Sequence, residues 1–315
     1  MSVAQQISIA GPVRWDYLYV DAPRHRLYIS HGTQTEVVDT VSNKVVGTIA
    51  DTHGVHGIAI AAELGLGFTS NGADNQVSVF DLTTLKVSAL IPTGKNPDAI
   101  IYEPTTQRVI TFNGRSNDAT IINARTGKVI KASIPVGGKP EFAQVDGHGH
   151  VYFNIEDTNE VGVLDAAHGV LIKRYSIAPC EAPTGLAIDD RNRLYSACGN
   201  GLMVISEPTT GKLIGQSPIG KGADGVALLG EYAVSANGKD GTLSVVKEVS
   251  PSHFETVATM TTATGARTVA ADPVQHALYL PTADFKPQSD ADTSKRPEGI
   301  PGTFKVLVVG HSAAQ

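Results

Sequence analysis

Hydrophobic residues along this chain come in short runs, some unbroken and some alternating with polar residues, and each run is cut by Gly, Asn, Asp or Pro. That is the pattern of strands and tight turns rather than of helices. Residues 57–98, GIAIAAELGLGFTSNGADNQVSVFDLTTLKVSALIPTGKNPD, stack over 99–141, AIIYEPTTQRVITFNGRSNDATIINARTGKVIKASIPVGGKPE, with one grammar. Each holds an apolar strand, a short turn, a second strand ending near Asn-Gly, an alternating strand ending in Asp or Asn, a Thr/Gly-Lys turn and a fourth strand. The grammar continues through 142–184, 185–224 and 225–268, fits 17–56 and, with an interruption, 269–310, which makes seven units. One residue before each first strand is equivalent in all seven: Asp16, His56, Asp98, Glu141, Thr184, Asp224 and Thr268, spaced by 40, 42, 43, 43, 40 and 44 residues. A period of roughly 40 to 45 residues with four short strands predicts an all-β, seven-bladed β-propeller with four-stranded blades. The expected organisation is a single propeller domain over 1–315. The last unit lacks a fourth strand of its own, so residues 3–10, VAQQISIA, are expected to pair there and close the last blade.

Composition narrows the class without changing the fold. In 315 residues, 41% are hydrophobic and 18% charged, and no apolar stretch approaches the roughly 20 residues that a membrane-spanning helix needs. A net charge of -6 with no block of Lys or Arg argues against nucleic acid as a partner. The start, MSVAQQISIAGPV, has no basic segment followed by an apolar one. Two readings fit: a cytoplasmic protein, or an exported one whose signal has been removed.

The segments NPDAIIYEPTTQRVITFNG, APTGLAIDDRNRLYSACGN and GTFKVLVVG resemble the YncE-like, YVTN-repeat seven-bladed propellers of bacteria, over nearly the whole chain. The literal YVTN tetrapeptide is absent, its place taken by YISHG, FTSNG, ITFNG and AVSANG. The resemblance implies the propeller fold and an exported, periplasmic or secreted protein.

In a four-stranded blade, the loop into the innermost strand and the loop between strands two and three emerge on one face near the axis. The first set carries the seven equivalent residues with Arg14, Trp15, His53, Asn96, Lys139 and Arg267; the second carries His31, Asn71, Asn113, Asn154, Cys198, Asn237 and Asp284. His31 is expected beside the ring. Four carboxylates converging on one mouth repel by about 2 kcal/mol per pair at roughly 8 Å and an effective dielectric near 20, so something positive should offset them. Arg14, Lys139 and Arg267 could do so internally, or a divalent cation or a cationic ligand could. Mixed His and carboxylate donors from Asp16, His56, Asp98, Glu141 and Asp224 suit Zn, Mn, Fe or Mg. The competing structural reading is that Asp and Thr before a strand hold a turn through nearby N–H groups. Ligand contacts are expected from Arg14, Trp15, Asn71, Asn113, Glu141, Asn154, Asn237 and Arg267, and catalysis, if any, from His31 and His56. His148, His150 and His168 fall in turns of the opposite face, and His25, His253 and His276 read as solvated turn residues.

Cys180 enters unit 5 and Cys198 ends its second strand, so the two should meet. A disulfide is expected; two buried thiols, or a nucleophilic cysteine beside a ring histidine, are the alternatives. Residues 284–302, DFKPQSDADTSKRPEGIPG, form a long insertion in unit 7 that suits either a lid or partner-binding loop or a solvated excursion. No nucleophile elbow, Walker loop, HExxH or dinucleotide fingerprint is present. Three functions remain. The first is binding of a small polar ligand or divalent cation at the axial mouth. The second is a metal-assisted, lactonase-like hydrolase or lyase on the same residues. The third is a protein-interaction scaffold.

Overall fold

The computed structural model describes residues 2–287 and 297–310. They form seven antiparallel four-stranded sheets arranged as the blades of a propeller. Blades one to six each use four consecutive strands, the first running Leu18–Asp21, Arg26–His31, Gln34–Asp39 and Lys44–Ile49 from the axis outwards. Blade seven takes Ala270–Asp272, Ala277–Thr282 and Lys305–Gly310 from the C-terminal part and Ser2–Ser8 from the N-terminus. Ser8 lies opposite Lys305 and Gln6 opposite Leu307. The two ends of the chain therefore close the ring, and the edge that Lys305–Gly310 would present is covered. No helix among the described residues is long and apolar enough to cross a membrane.

The core lies between blades, where side chains of adjacent sheets interlock. Phe112 of blade three meets Phe153 of blade four with ring centroids 4.5 Å apart. At the closing seam, Ile7, Ile9, Trp15, Leu27, Ile29, Tyr279 and Phe304 form one buried cluster. Glycine is required where rings cross a strand: a Cβ on Gly162 would fall 2.2 Å from the Phe153 ring.

Turn chemistry repeats on the face away from the ring residues. Asp39, Asp81, Asn123 and Asp165, each ending a third strand, accept the N–H of the residue three further on. These Asx turns hold the outer hairpins. The inner strands carry a different repeat. Val55 pairs with Asn71 but the register resumes only at Ile58 with Thr69, and the same break separates Pro97 from Ile100, Pro140 from Ala143 and Pro183 from Leu186. His56, Asp98, Glu141 and Thr184 sit in these breaks. An unpaired residue at a bulge is re-aimed away from the sheet, here into the mouth at the axis.

Cys180 and Cys198 form a disulfide across 18 residues, tying the loop into blade five to the end of its second strand. Replacing both by serine is expected to lower stability by about 3 kcal/mol, the value for a loop of this size. The urea midpoint reads this, and a midpoint unchanged both in the double variant and in the reduced protein contradicts it.

Candidate functional site

Three blades each bring one donor to the axial mouth. His56 Nδ1 lies 2.5 Å from Asp16 Oδ2 and 3.6 Å from Asp98 Oδ1. Donor atoms of Asp16, His56 and Asp98 all fall within 4.8 Å of one another, and the three side chains are partly exposed. A carboxylate only accepts, so Nδ1–H donates to Asp16. Asp98 Oδ1 is buried and accepts no hydrogen bond.

The remaining ring acids are held by cations. Lys139 Nζ stands 2.7 Å from Glu141 Oε1 and also contacts Glu156. Arg267 Nε reaches Asp224 Oδ2 at 3.0 Å, while its Nη2 reaches Asp16 Oδ1 at 3.4 Å and the Trp15 carbonyl at 2.8 Å. Thr184 and Thr268 instead donate to the main chain of the next blade, at Ala223 and Asp16. The two threonines thus brace neighbouring blades rather than accept a nearby N–H within a turn, while the acids pair with His56, Lys139 and Arg267.

Tyr17 and Phe142 follow the ring positions Asp16 and Glu141 in the chain. Tyr17 is buried, packs edge-on against Phe142 at 4.8 Å, and points its hydroxyl at Glu141 Oε2, 3.4 Å away. Burial, then the negative charges of Asp98, Glu141, Asp16 and Asp224, push its phenol well above the usual range. A separate cavity of about 240 Å³ lies on the far side of Tyr17 and Phe142, lined by the inner strands of blades one to four.

Crowding of acids in a half-dry cup disfavours their charged forms. Burial first, then Asp98, raises Glu141 to about 9 against the pull of Lys139. Burial likewise raises Asp98 to about 7, opposed by His56 and helped by Asp16 and Asp224. For His56, burial works to lower the pKa, but the hydrogen bond to Asp16 and the charges of Asp98 and Asp16 outweigh it and the net shift is upward. All three shifts give stability the same sign. The folded chain keeps protons that the unfolded chain has released, so stability falls as pH rises from the acidic side through the folded values. The melting temperature of the metal-free protein is expected to fall between pH 6 and 9. Glu141→Gln, which leaves Lys139 its Glu156 partner, should flatten that fall. A profile of equal slope in both proteins contradicts the assignment.

The structure places several expected site residues elsewhere. His31 does not join His56: it is fully buried, stacked on Phe304 at 4.2 Å, with Nε2 2.7 Å from the Pro12 carbonyl and Nδ1 3.3 Å from Glu36. Both nitrogens are engaged and neither meets solvent. Asn71, Asn113, Asn154 and Asn237 are also fully buried. Asn71 donates to Ser78, Asn113 to Asp118 and Thr120, and Asn237 to Thr242 and Ser244, all within their own blades. Asn154 differs in phase, since Ile155 is the residue opposite Pro140; its amide crosses to the Thr184 and Gly185 carbonyls of blade five. Trp15 is core, beneath the Arg267 guanidinium and beside Phe285 and Phe304. His53 pairs with Asp74 at the exposed rim. Glu141 and Asp224 lie outside the three-residue group. Arg14 is exposed. Of the insertion, 288–296 lie outside the described residues; its two ends pair through Phe285 and Gly299.

Tyr17 and Phe142 carry a signal in the sequence. The residue after each ring position is Tyr17, Gly57, Ala99, Phe142, Gly185, Gly225 or Val269, and the two aromatics are the ones large enough to fill the axis.

No protein-family model matches this chain, and no curated protein sequence matches it. Solved structures are similar in shape. A chain of Kuenenia stuttgartiensis hydrazine synthase is 15% identical with a TM-score of 0.75, covering 96% of each chain. U3-55K is 7% identical with a TM-score of 0.80, covering 98% of this chain and 99% of that one. The WD40 repeats of RRP9 are 6% identical with a TM-score of 0.80 and cover 98% of each. At these identities the likeness establishes the seven-bladed fold and carries nothing about function.

Proposed function

We propose that this chain is an exported propeller, of the YncE-like kind its repeats resemble, that binds one divalent cation at the axial mouth through Asp16, His56 and Asp98. The observation that carries the reading is the convergence of three donors from three blades around a buried carboxylate oxygen without a hydrogen-bond partner. A buried carboxylate oxygen without a hydrogen bond is costly, and a cation satisfies it more fully than the 3.6 Å approach of His56 Nδ1 does. One imidazole with two carboxylates suits Mn, Fe, Zn or Mg better than an all-oxygen calcium cage. The fit needs a small opening. Bonds of 2.0–2.2 Å to a tetrahedral ion hold ligands roughly 3.3 Å apart, so the 2.5 Å Asp16–His56 contact must widen by under about an ångström as the Nδ1 proton leaves. The disulfide supports an oxidising compartment, hence export. Equilibrium dialysis against Mn²⁺ and Zn²⁺, followed by metal analysis, tests the site. One ion per chain is expected, and less than a tenth of an ion at saturating metal rejects it.

A further inference from the structure

Among the described residues, no charged side chain lines the cavity of about 240 Å³ beyond Tyr17 and Phe142. Its place follows from strand alternation. Blades one and four are not neighbours, yet Tyr17 and Phe142 bring their ring centroids within 4.8 Å, so the two meet across the axis. Side chains two residues apart on a strand share a face and stand about 6–7 Å from each other. Tyr19 and Gln144 therefore form the next layer, and both line the cavity. Four blades leave that layer room, since the equivalent residues are Ala59, Ala187, Ala227 and Ala271. Much of the remaining wall is aliphatic, with Ile58, Ile100 and Ile101. Two polar groups interrupt it. Gln144 donates Nε2–H to the Leu186 carbonyl at 2.9 Å, which leaves Oε1 as an acceptor without a hydrogen bond among the described residues. The Tyr19 hydroxyl makes none there either, whereas those of Tyr17 and Tyr102, which also line the cavity, are taken by Glu141 and Glu63.

We propose that this cavity binds a small uncharged phenol, its ring against Tyr17 and Phe142 and its hydroxyl donating to Gln144 Oε1 while accepting from the Tyr19 hydroxyl. The inference is independent of the cation site. Size sets the class first: a dry apolar cavity of about 150 Å³ already holds benzene, so this one has room for a ring with a substituent. Charge narrows it, because an ionic guest would lose its water to a wall that offers no counter-charge. The two rings favour a flat aromatic guest over an aliphatic one through offset and edge-to-face contacts. The hydroxyl is required by Gln144, whose Oε1 would be left unpaired once a purely apolar guest had displaced water from it.

The test titrates the full chain, isotope-labelled at its isoleucine methyl groups, with phenol, toluene and benzoate, and follows the methyl signals by NMR. Phenol is expected to shift those of Ile58, Ile100 and Ile101 saturably. Toluene should do so about tenfold more weakly for want of one hydrogen bond, and benzoate not at all. Ile101→Phe, which fills the cavity, should abolish the phenol shifts, and Gln144→Leu should bring phenol down to the affinity of toluene. No saturable shift with phenol, shifts confined to isoleucines outside the cavity, equal affinities for phenol and toluene in the parent, or undiminished phenol binding by Ile101→Phe each overturns the proposal. The first three of these are read on the parent chain and stand whether or not either variant folds.

Discussion

Deleting residues 2–10 is expected to remove the cooperative unfolding transition or lower its midpoint by on the order of 10 °C, with much of the chain insoluble. Ser2–Ser8 is the outermost strand of blade seven, and its loss leaves Lys305–Gly310 as an unpaired edge of buried apolar residues. Ile7 and Ile9, each 5% exposed, leave the closing cluster. Each buried isoleucine contributes about 1.5–3 kcal/mol, so the pair accounts for roughly 3–6 kcal/mol of a total near 5–15 kcal/mol. Two ties go with them: the Ile9 N–H bond to the Phe304 carbonyl at 3.1 Å, and the Asn43 bond to Gln5 at 2.9 Å that joins blade one to blade seven. Differential scanning calorimetry and size-exclusion chromatography check the outcome. A soluble deletion variant melting within 2–3 °C of the parent, the shift of about 1 kcal/mol, would mean that the other six inter-blade seams hold the ring without the clasp.

The clasp was legible because a repeat makes absence visible: a seventh unit one strand short implies a strand from elsewhere. The ring of inward residues was legible for the same reason, since the bulge that aims His56, Asp98 and Glu141 recurs at one offset from each inner strand. Where counting fails, the physics is that of register. Asn154 stands one residue before the position opposite Pro140, and a one-residue slip turns a side chain to the other face of its sheet. His31 and Trp15 failed differently. They are covered by Pro12, Phe285 and Phe304, contacts made across the closing seam by segments whose placement no local pattern encodes. The buried asparagines follow a local rule instead: an amide beside Ser or Thr on the facing strand forms a hydrogen-bonded lock, here with Ser78, Thr120 and Ser244.

Asp98→Asn is expected to separate the two roles of the hub. Its buried Oδ1 takes no hydrogen bond, and its carboxyl is raised to about 7 by burial, so above neutral pH the metal-free protein carries an unfavourable charge there. The neutral amide removes that charge and its repulsion with Asp16 and Asp224, and the variant should be more stable than the parent at pH 8, by on the order of 1 kcal/mol. The sign reverses for the ion. With one of two anionic donors gone, Mn²⁺ or Zn²⁺ affinity should fall by more than the roughly 10- to 100-fold that a change behind a ligand typically costs. Melting curves at pH 8 without metal, set beside dialysis with it, read both effects on one protein. Unchanged affinity together with raised stability would identify Asp98 as a strained structural acid, and the cation would then have to be sought among Glu141, Glu156 and Asp224, where Lys139 and Arg267 already supply the positive charge. The gain in stability is thus what a binding residue gives up to stay charged in a dry cup, and finding it on the same side chain that controls the ion is the outcome that distinguishes a site from a turn.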